Sequence, residues 1–204
     1  LMHDDVIDLG NIRRGKKTLN SIWGNHSSVL IGDYLLSRCF EMMVEDGNLE
    51  VLKLLSSTSS KIAQGEVLQL QYKGETDMLE ETYLKIITAK TAELFSAATK
   101  VGAILSNSET KEKEALEFYG KNLGLTFQIA DDILDIEGDA AKAGKKLQKD
   151  AAAGKATFVS LLGLDGAKAR ARELVTQAED ALAPYGSSAD VLRQTARFVI
   201  DRES

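Results

Sequence analysis

Two segments repeat one pattern: Asp4-Asp5-Val6-Ile7-Asp8 and Asp131-Asp132-Ile133-Leu134-Asp135 both read D-D-x-x-D. On an α-helix the first and last aspartates of such a triplet stand one turn apart and project from one face. Carboxylates stacked this way repel each other, so a bare cluster weakens its helix, whereas a hard divalent cation turns it into a set of oxygen ligands. Magnesium usually keeps water and phosphate oxygens as its remaining ligands, so two such faces across a cavity would hold ions with a diphosphate between them. The bland alternative is a solvated acidic face. Val6 and Ile7 inside the first triplet, and Phe127, Ile129, Ala130, Ile133 and Leu134 around the second, argue against it. Carboxylates in apolar surroundings need partners.

Cations flank both triplets. Arg13-Arg14-Gly15-Lys16-Lys17 follows the first; Lys145, Lys146 and Lys149 follow the second; Lys90-Thr91 sits between them in an otherwise apolar stretch. Each lysine taken singly reads as a solvated surface residue. Their value is in their placement, and the forked donors of arginine suit phosphate oxygens. No Ser/His/Asp or Cys/His set suggests a protein nucleophile.

The chain that must position these groups has 204 residues, 44% hydrophobic and 27% charged, which suits a single domain, 1–204, with one core. A net charge of −6 argues against a nucleic-acid partner and suits a collector of divalent cations. Cys39 is the only cysteine, so no intrachain disulfide can form, and the expected compartment is cytoplasmic. No run approaches the length of a membrane span. Leu1-Met2-His3-Asp4-Asp5 reads as the middle of a helix, so the domain is expected to be incomplete at its N-terminal side.

The only proline, Pro184, leaves room for long helices before it. Apolar residues recur at three- and four-residue spacing. Val29, Leu30, Tyr34, Leu35, Cys39, Phe40 and Met43 predict a broad buried stripe over Val29–Met43. Further helices are predicted over Leu49–Leu70, Met78–Leu105 (after a start signal at Thr76-Asp77), Lys111–Glu137, Ala167–Leu182 and Asp190–Arg202. Gly120 and Gly124 fall inside one of them, either for close packing or for a ligand. Gly138–Gly154 reads as a basic, glycine-rich loop, Lys155–Leu164 resumes the apolar pattern, and Pro184–Ser188 reads as a turn. With no strand-period segment of useful length, the fold class is an all-α bundle.

L-M-H-D-D-V-I-D, N-I-R-R-G, G-N-H-S-S-V-L-I-G-D-Y-L, I-A-Q-G-E-V-L-Q-L, A-K-T-A-E-L and F-Q-I-A-D-D-I-L-D-I-E-G-D occur here in unbroken order. Together they resemble the trans-isoprenyl diphosphate synthases over nearly the whole chain. The resemblance implies an isoprenoid-synthase-type bundle of long helices around a central cavity. It implies Asp4, Asp5, Asp8, Asp131, Asp132 and Asp135 as the binding set for three magnesium ions. Arg13 would hold the allylic diphosphate and Arg14 isopentenyl diphosphate. Lys90, Gln128 and Lys145 would be further diphosphate ligands, with Thr91 and Gln128 near the reacting carbons. His3 carries no implied catalytic role. The implied reaction is ionisation, condensation and elimination, with the tail growing down an apolar tunnel. A homodimer through the central helices is also implied, and a long product could draw the protein to a membrane surface.

Two departures qualify this. The family's upstream G-K-R-x-R-P element has no counterpart here. The run from Leu1 to about Asp135 resembles long-chain octaprenyl and decaprenyl synthases, with two residues separating the aspartate pair from the last aspartate of the first triplet. The tail from Lys149 to Leu174 resembles short-chain farnesyl synthases, although Gln148 stands where those often have glycine. A long-chain product is expected, with a short-chain synthase as the nearest rival. A terpene cyclase would not need the second triplet with Arg13-Arg14 and Lys90-Thr91, and a non-catalytic partner subunit would usually have lost aspartates.

Overall fold

Helices carry the chain, as the spacing of apolar positions predicts. The computed structural model describes residues 1–72, 74, 78–137 and 156–202. Helix α1 (Met2–Ile7) leads into a two-stranded hairpin, β1 (Ile12–Arg13) against β2 (Lys16–Lys17). Arg14 and Gly15 join the strands, both with positive φ, +51° and +72°. Left-handed backbone at both turn positions is the mirror-image turn whose twist matches paired strands. Glycine takes it freely; Arg14 takes it at a cost.

Helix α2 (Leu19–Asp46) bends at Gly24 and ends at Gly47, where a φ of +74° gives a left-handed cap. Helix α3 (Leu49–Gln71) starts at Asn48, whose side chain accepts hydrogen bonds from the Glu50 and Val51 amides. The predicted start signal at Thr76-Asp77 lies outside the described residues. The single helix expected over Met78–Leu105 is instead three pieces in line: α4 (Glu80–Ile87), a π-helical turn (Thr88–Ala92) and α5 (Glu93–Leu105). Helix α6 (Thr110–Glu137) carries the second aspartate triplet.

Lys155–Leu164 and Ala167–Leu182 were expected as separate segments. Lys155 lies outside the described residues; beyond it the two form one helix, α7 (Phe158–Ala181), bent at Gly163 and opened by a Thr157–Ser160 capping box. The turn at Pro184 is a 3₁₀ segment (Ala183–Ala189), followed by α8 (Asp190–Asp201).

The core lies along α6 and α7. One cluster joins Ile129, Leu125, Phe158 and Leu174 to Tyr83 and Ile87 of α4. A second joins Tyr119, Leu123 and Val175 to Ala196 and Val199 of α8. The glycines of α6 are packing residues: a Cβ on Gly120 would stand 2.6 Å from the Phe95 carbonyl oxygen, and one on Gly124 2.6 Å from the Ala92 Cα. This close approach of α6 to α5 and the π turn settles the choice left open by the sequence.

The stripe predicted on α2 is not buried within this chain. Leu30, Tyr34, Leu35 and Phe40 are exposed, as is Trp23 at 60%, and the fully buried positions of α2 are Ser28 and Gly32. Periodicity reports that a face is apolar without saying what covers it. Among the described residues no helix is long and apolar enough to cross a membrane.

Candidate active site

The first triplet sits on α1, with Asp8 at its C-terminal cap. Polar ties hold α1 to α2. Ser28 Oγ donates to the Met2 carbonyl (2.9 Å), and Asn20 Nδ2 donates to the Asp5 and Gly10 carbonyls (3.3 and 3.2 Å). His3 Nε2 lies 3.1 Å from the Val29 carbonyl and 3.0 Å from Asp33 Oδ1, with its ring against Gly32. A Cβ at Gly32 would come within 2.6 Å of that ring. His3 is therefore a packing residue beside the triplet.

The middle aspartate of each triplet is turned into the protein. Asp5, 6% exposed, accepts from Arg13 Nε at 2.8 Å, which fixes the hairpin to α1. Asp132, 2% exposed, accepts from the Tyr83 hydroxyl at 2.5 Å and the Phe158 amide at 2.9 Å through Oδ2, and from Gln128 Nε2 at 3.1 Å through Oδ1. One carboxylate thus ties α4, α6 and the start of α7 together. Asp4 and Asp131 are half-exposed, Asp8 is exposed and Asp135 is buried.

The π turn decides where Lys90 and Thr91 go. The wider turn inserts a register shift in the α4–α5 axis. Lys90 Nζ reaches α3, 2.8 Å from both Glu66 Oε1 and Gln69 Oε1. Thr91 Oγ1 reaches α6 and donates to Gln128 Oε1 at 3.2 Å. Thr91, Gln128, Asp132 and Tyr83 therefore form one hydrogen-bonded series across three elements.

A cleft opens between α1, α3 and α4, lined by Asp8, Glu66, Gln69, Tyr72 and Tyr83 among others. Asp8 of the first triplet lines it directly, whereas the second triplet is connected to it through Tyr83, whose hydroxyl donates to Asp132. Arg14 is exposed at the hairpin tip. Lys145, Lys146 and Lys149 lie outside the described residues.

Several contacts had no signal in the sequence. Tyr83 and Arg202 reach α6 from 49 and 71 residues away. Arg202 Nη2 donates to Asp131 Oδ1 at 2.5 Å, and its guanidinium lies 4.0 Å from the centre of the Phe127 ring. Glu66 and Gln69 did carry a weak signal: two polar residues one turn apart in the apolar run of α3.

The donor set fits hard cations, because it is all carboxylate oxygen. Among the described residues no three His, Cys, Asp or Glu side chains converge on one point. Magnesium needs only one or two carboxylates per ion, with water and phosphate completing its octahedron, so the present residues suit it.

An all-α bundle that carries two D-D-x-x-D triplets, the first lining a cleft and the second bonded to its wall through Tyr83, points to a class of protein; comparison with known proteins gives the family. The Polyprenyl synthetase family model matches residues 1–187, and the chain belongs to that family. It is 44% identical over 158 residues to the octaprenyl diphosphate synthase of Escherichia coli, covering 78% of this chain and 49% of that one. It is 38% identical over 177 residues to a short chain isoprenyl diphosphate synthase of Methanothermobacter thermautotrophicus, covering 85% of this chain and 54% of that one. Among solved structures, a Caulobacter crescentus polyprenyl synthase complexed with calcium and isoprenyl diphosphate superposes with a TM-score of 0.92 at 35% identity, covering 100% of this chain and 74% of that one. The chain spans about half the length of the curated relatives it matches.

Proposed function

We propose that the protein is a trans-prenyltransferase that condenses an allylic diphosphate with isopentenyl diphosphate head to tail, making a long-chain polyprenyl diphosphate. The observation that carries this reading is the cleft. It brings Asp8 of the first triplet beside Tyr83, which is bonded to Asp132 of the second, and beside the residues that hold Lys90. Membership of the Polyprenyl synthetase family supports it.

Asp4, Asp8 and Asp131, with the buried Asp135 behind them, would supply ligands to the ions, while Asp5 and Asp132 fix the two faces through Arg13, Tyr83 and Phe158. Magnesium, three ions in this reading, would supply the charge that lets the diphosphate depart. Arg13 anchors the allylic diphosphate beside the first triplet, and Arg14, at the exposed hairpin tip, serves isopentenyl diphosphate. Lys90 binds diphosphate from the cleft wall, and Lys145 would add a further cation. Thr91, which donates to Gln128 Oε1, and Gln128 would lie near the reacting carbons, where neutral oxygen dipoles would stabilise developing positive charge without offering a nucleophile. The isopentenyl double bond then attacks the allylic carbon, and the released diphosphate takes the proton lost on elimination.

A short-chain product is the second reading, favoured by the resemblance to the Methanothermobacter enzyme. The exposed apolar face of α2 suits the homodimer expected from the sequence, and a cytoplasmic location goes with both readings. Product analysis decides the main question. The full-length protein is given farnesyl diphosphate, excess isopentenyl diphosphate and magnesium. Chains of about eight to ten isoprene units are expected. Arrest at three or four units makes it a short-chain synthase, and no incorporation refutes the enzymatic reading.

A further inference from the structure

Lys90 has a built socket. Its Nζ stands 2.8 Å from Glu66 Oε1 and 2.8 Å from Gln69 Oε1, with the two charged side chains only 22% and 16% exposed. An ammonium group has three donors and no acceptor, so a carboxylate and an amide oxygen one turn apart form a natural two-point holder. Gly65 makes the holder possible. A Cβ there would stand 2.8 Å from the Lys90 backbone nitrogen and 2.9 Å from the Ala89 Cβ, so only glycine lets α3 approach the π turn this closely. The π turn sends Lys90 to α3 and Thr91 to α6, so the two consecutive residues are held by different helices. Glu66 and Gln69 line the same cleft as Asp8.

Resting on the prenyltransferase reading, we propose that Glu66 is a positioning residue: it holds the Lys90 ammonium at the cleft wall as a resting counter-ion, which a substrate diphosphate replaces. Gln69, being neutral, keeps its hydrogen bond to Lys90 through the exchange and preserves the position of the ammonium. A flexible four-carbon side chain with a mobile point charge needs such a holder. Glu66 also repels an incoming diphosphate. Its presence therefore weakens ground-state binding while keeping Lys90 aimed at the charge that grows on the leaving group. Only interactions stronger in the transition state than in the ground state raise turnover.

The test is a double-mutant cycle on the full-length protein with Glu66→Gln, Lys90→Met and both. Turnover is read alongside calorimetric binding of inorganic diphosphate with magnesium. Glu66→Gln is expected to lower kcat about tenfold or more while diphosphate binds more tightly than before. In the Lys90→Met background the same change should do neither. A kcat within twofold of wild type, a joint loss of kcat and diphosphate affinity, or full additivity with Lys90→Met would overturn the proposal. Wild type that binds diphosphate but incorporates no isopentenyl diphosphate refutes the prenyltransferase reading. The affinity arm of the cycle then decides Glu66 alone: tightening that depends on Lys90 supports the socket, and its absence removes it.

Discussion

Asp132 belongs to a helix of 28 residues packed by α4, α5, α7 and α8, while Asp5 belongs to a helix of six held to α2 mainly by polar ties. The two triplets have the same D-D-x-x-D pattern, and in both the middle aspartate turns inward. The second does so among apolar neighbours, where a carboxylate must be fully hydrogen-bonded and its partners are locked by packing. The first does so against Arg13, which is itself 39% exposed. The same motif is thus built once as part of the core and once as a surface attachment. The second triplet gains rigidity from α6; the first depends on the hairpin and α2.

The largest effects should ignore this contrast. Under the proposed function, Asp4→Ala and Asp131→Ala each strip an outward oxygen ligand, and each should lower kcat by about a hundredfold or more. Near-normal turnover in either, with magnesium saturating, would sink the ligand assignment. Next in size are the middle aspartates, where the contrast should be plain in thermal or denaturant unfolding. Asp132→Ala leaves the Tyr83 hydroxyl and the Phe158 amide without this acceptor and should cost about 2–4 kcal/mol. Asp5→Ala breaks a pair whose cation is partly solvated and should cost about 1 kcal/mol. Equal losses would mean that α1 is as firmly packed as α6.

The glycines sharpen the comparison further. Gly124→Ala forces a methyl group against the backbone of Ala92 and should destabilise by about 1–3 kcal/mol. Gly32→Ala meets the His3 ring first, which can swing aside with α1, so it should lower stability less while disturbing turnover through Asp4. The opposite ranking would place the tighter packing at α1.

The smallest effect is a pH dependence at the other end of α6. Burial pushes the Tyr119 phenol up to about 12, and its hydroxyl donates to the Leu192 carbonyl at 2.8 Å. The unfolded chain gives up this proton near pH 10 and the folded one does not, so the contribution is complete below pH 10 and is lost as pH rises toward 12. Unfolding free energy measured from pH 9 to 12 should fall, and Tyr119→Phe should remove that part of the fall at a cost of about 1 kcal/mol.

By itself the sequence determined the all-α class, the helix carrying each triplet, the flanking cations and the family, because those rest on spacing along the chain and on residue chemistry. The last helix, predicted over Asp190–Arg202, is observed over Asp190–Asp201. Tertiary structure alone decided the rest. Whether the apolar stripe of α2 is buried depends on what lies opposite it, and in this chain Leu30 and Tyr34 face outward. The π turn at Thr88–Ala92 leaves no mark in composition, yet it sends Lys90 and Thr91 to different helices. Tyr83, Glu66 and Arg202 enter the site through contacts far apart along the chain. Periodicity encodes which face of a helix is apolar; which group meets a given carboxylate is set by packing between helices, and local spacing carries no record of it.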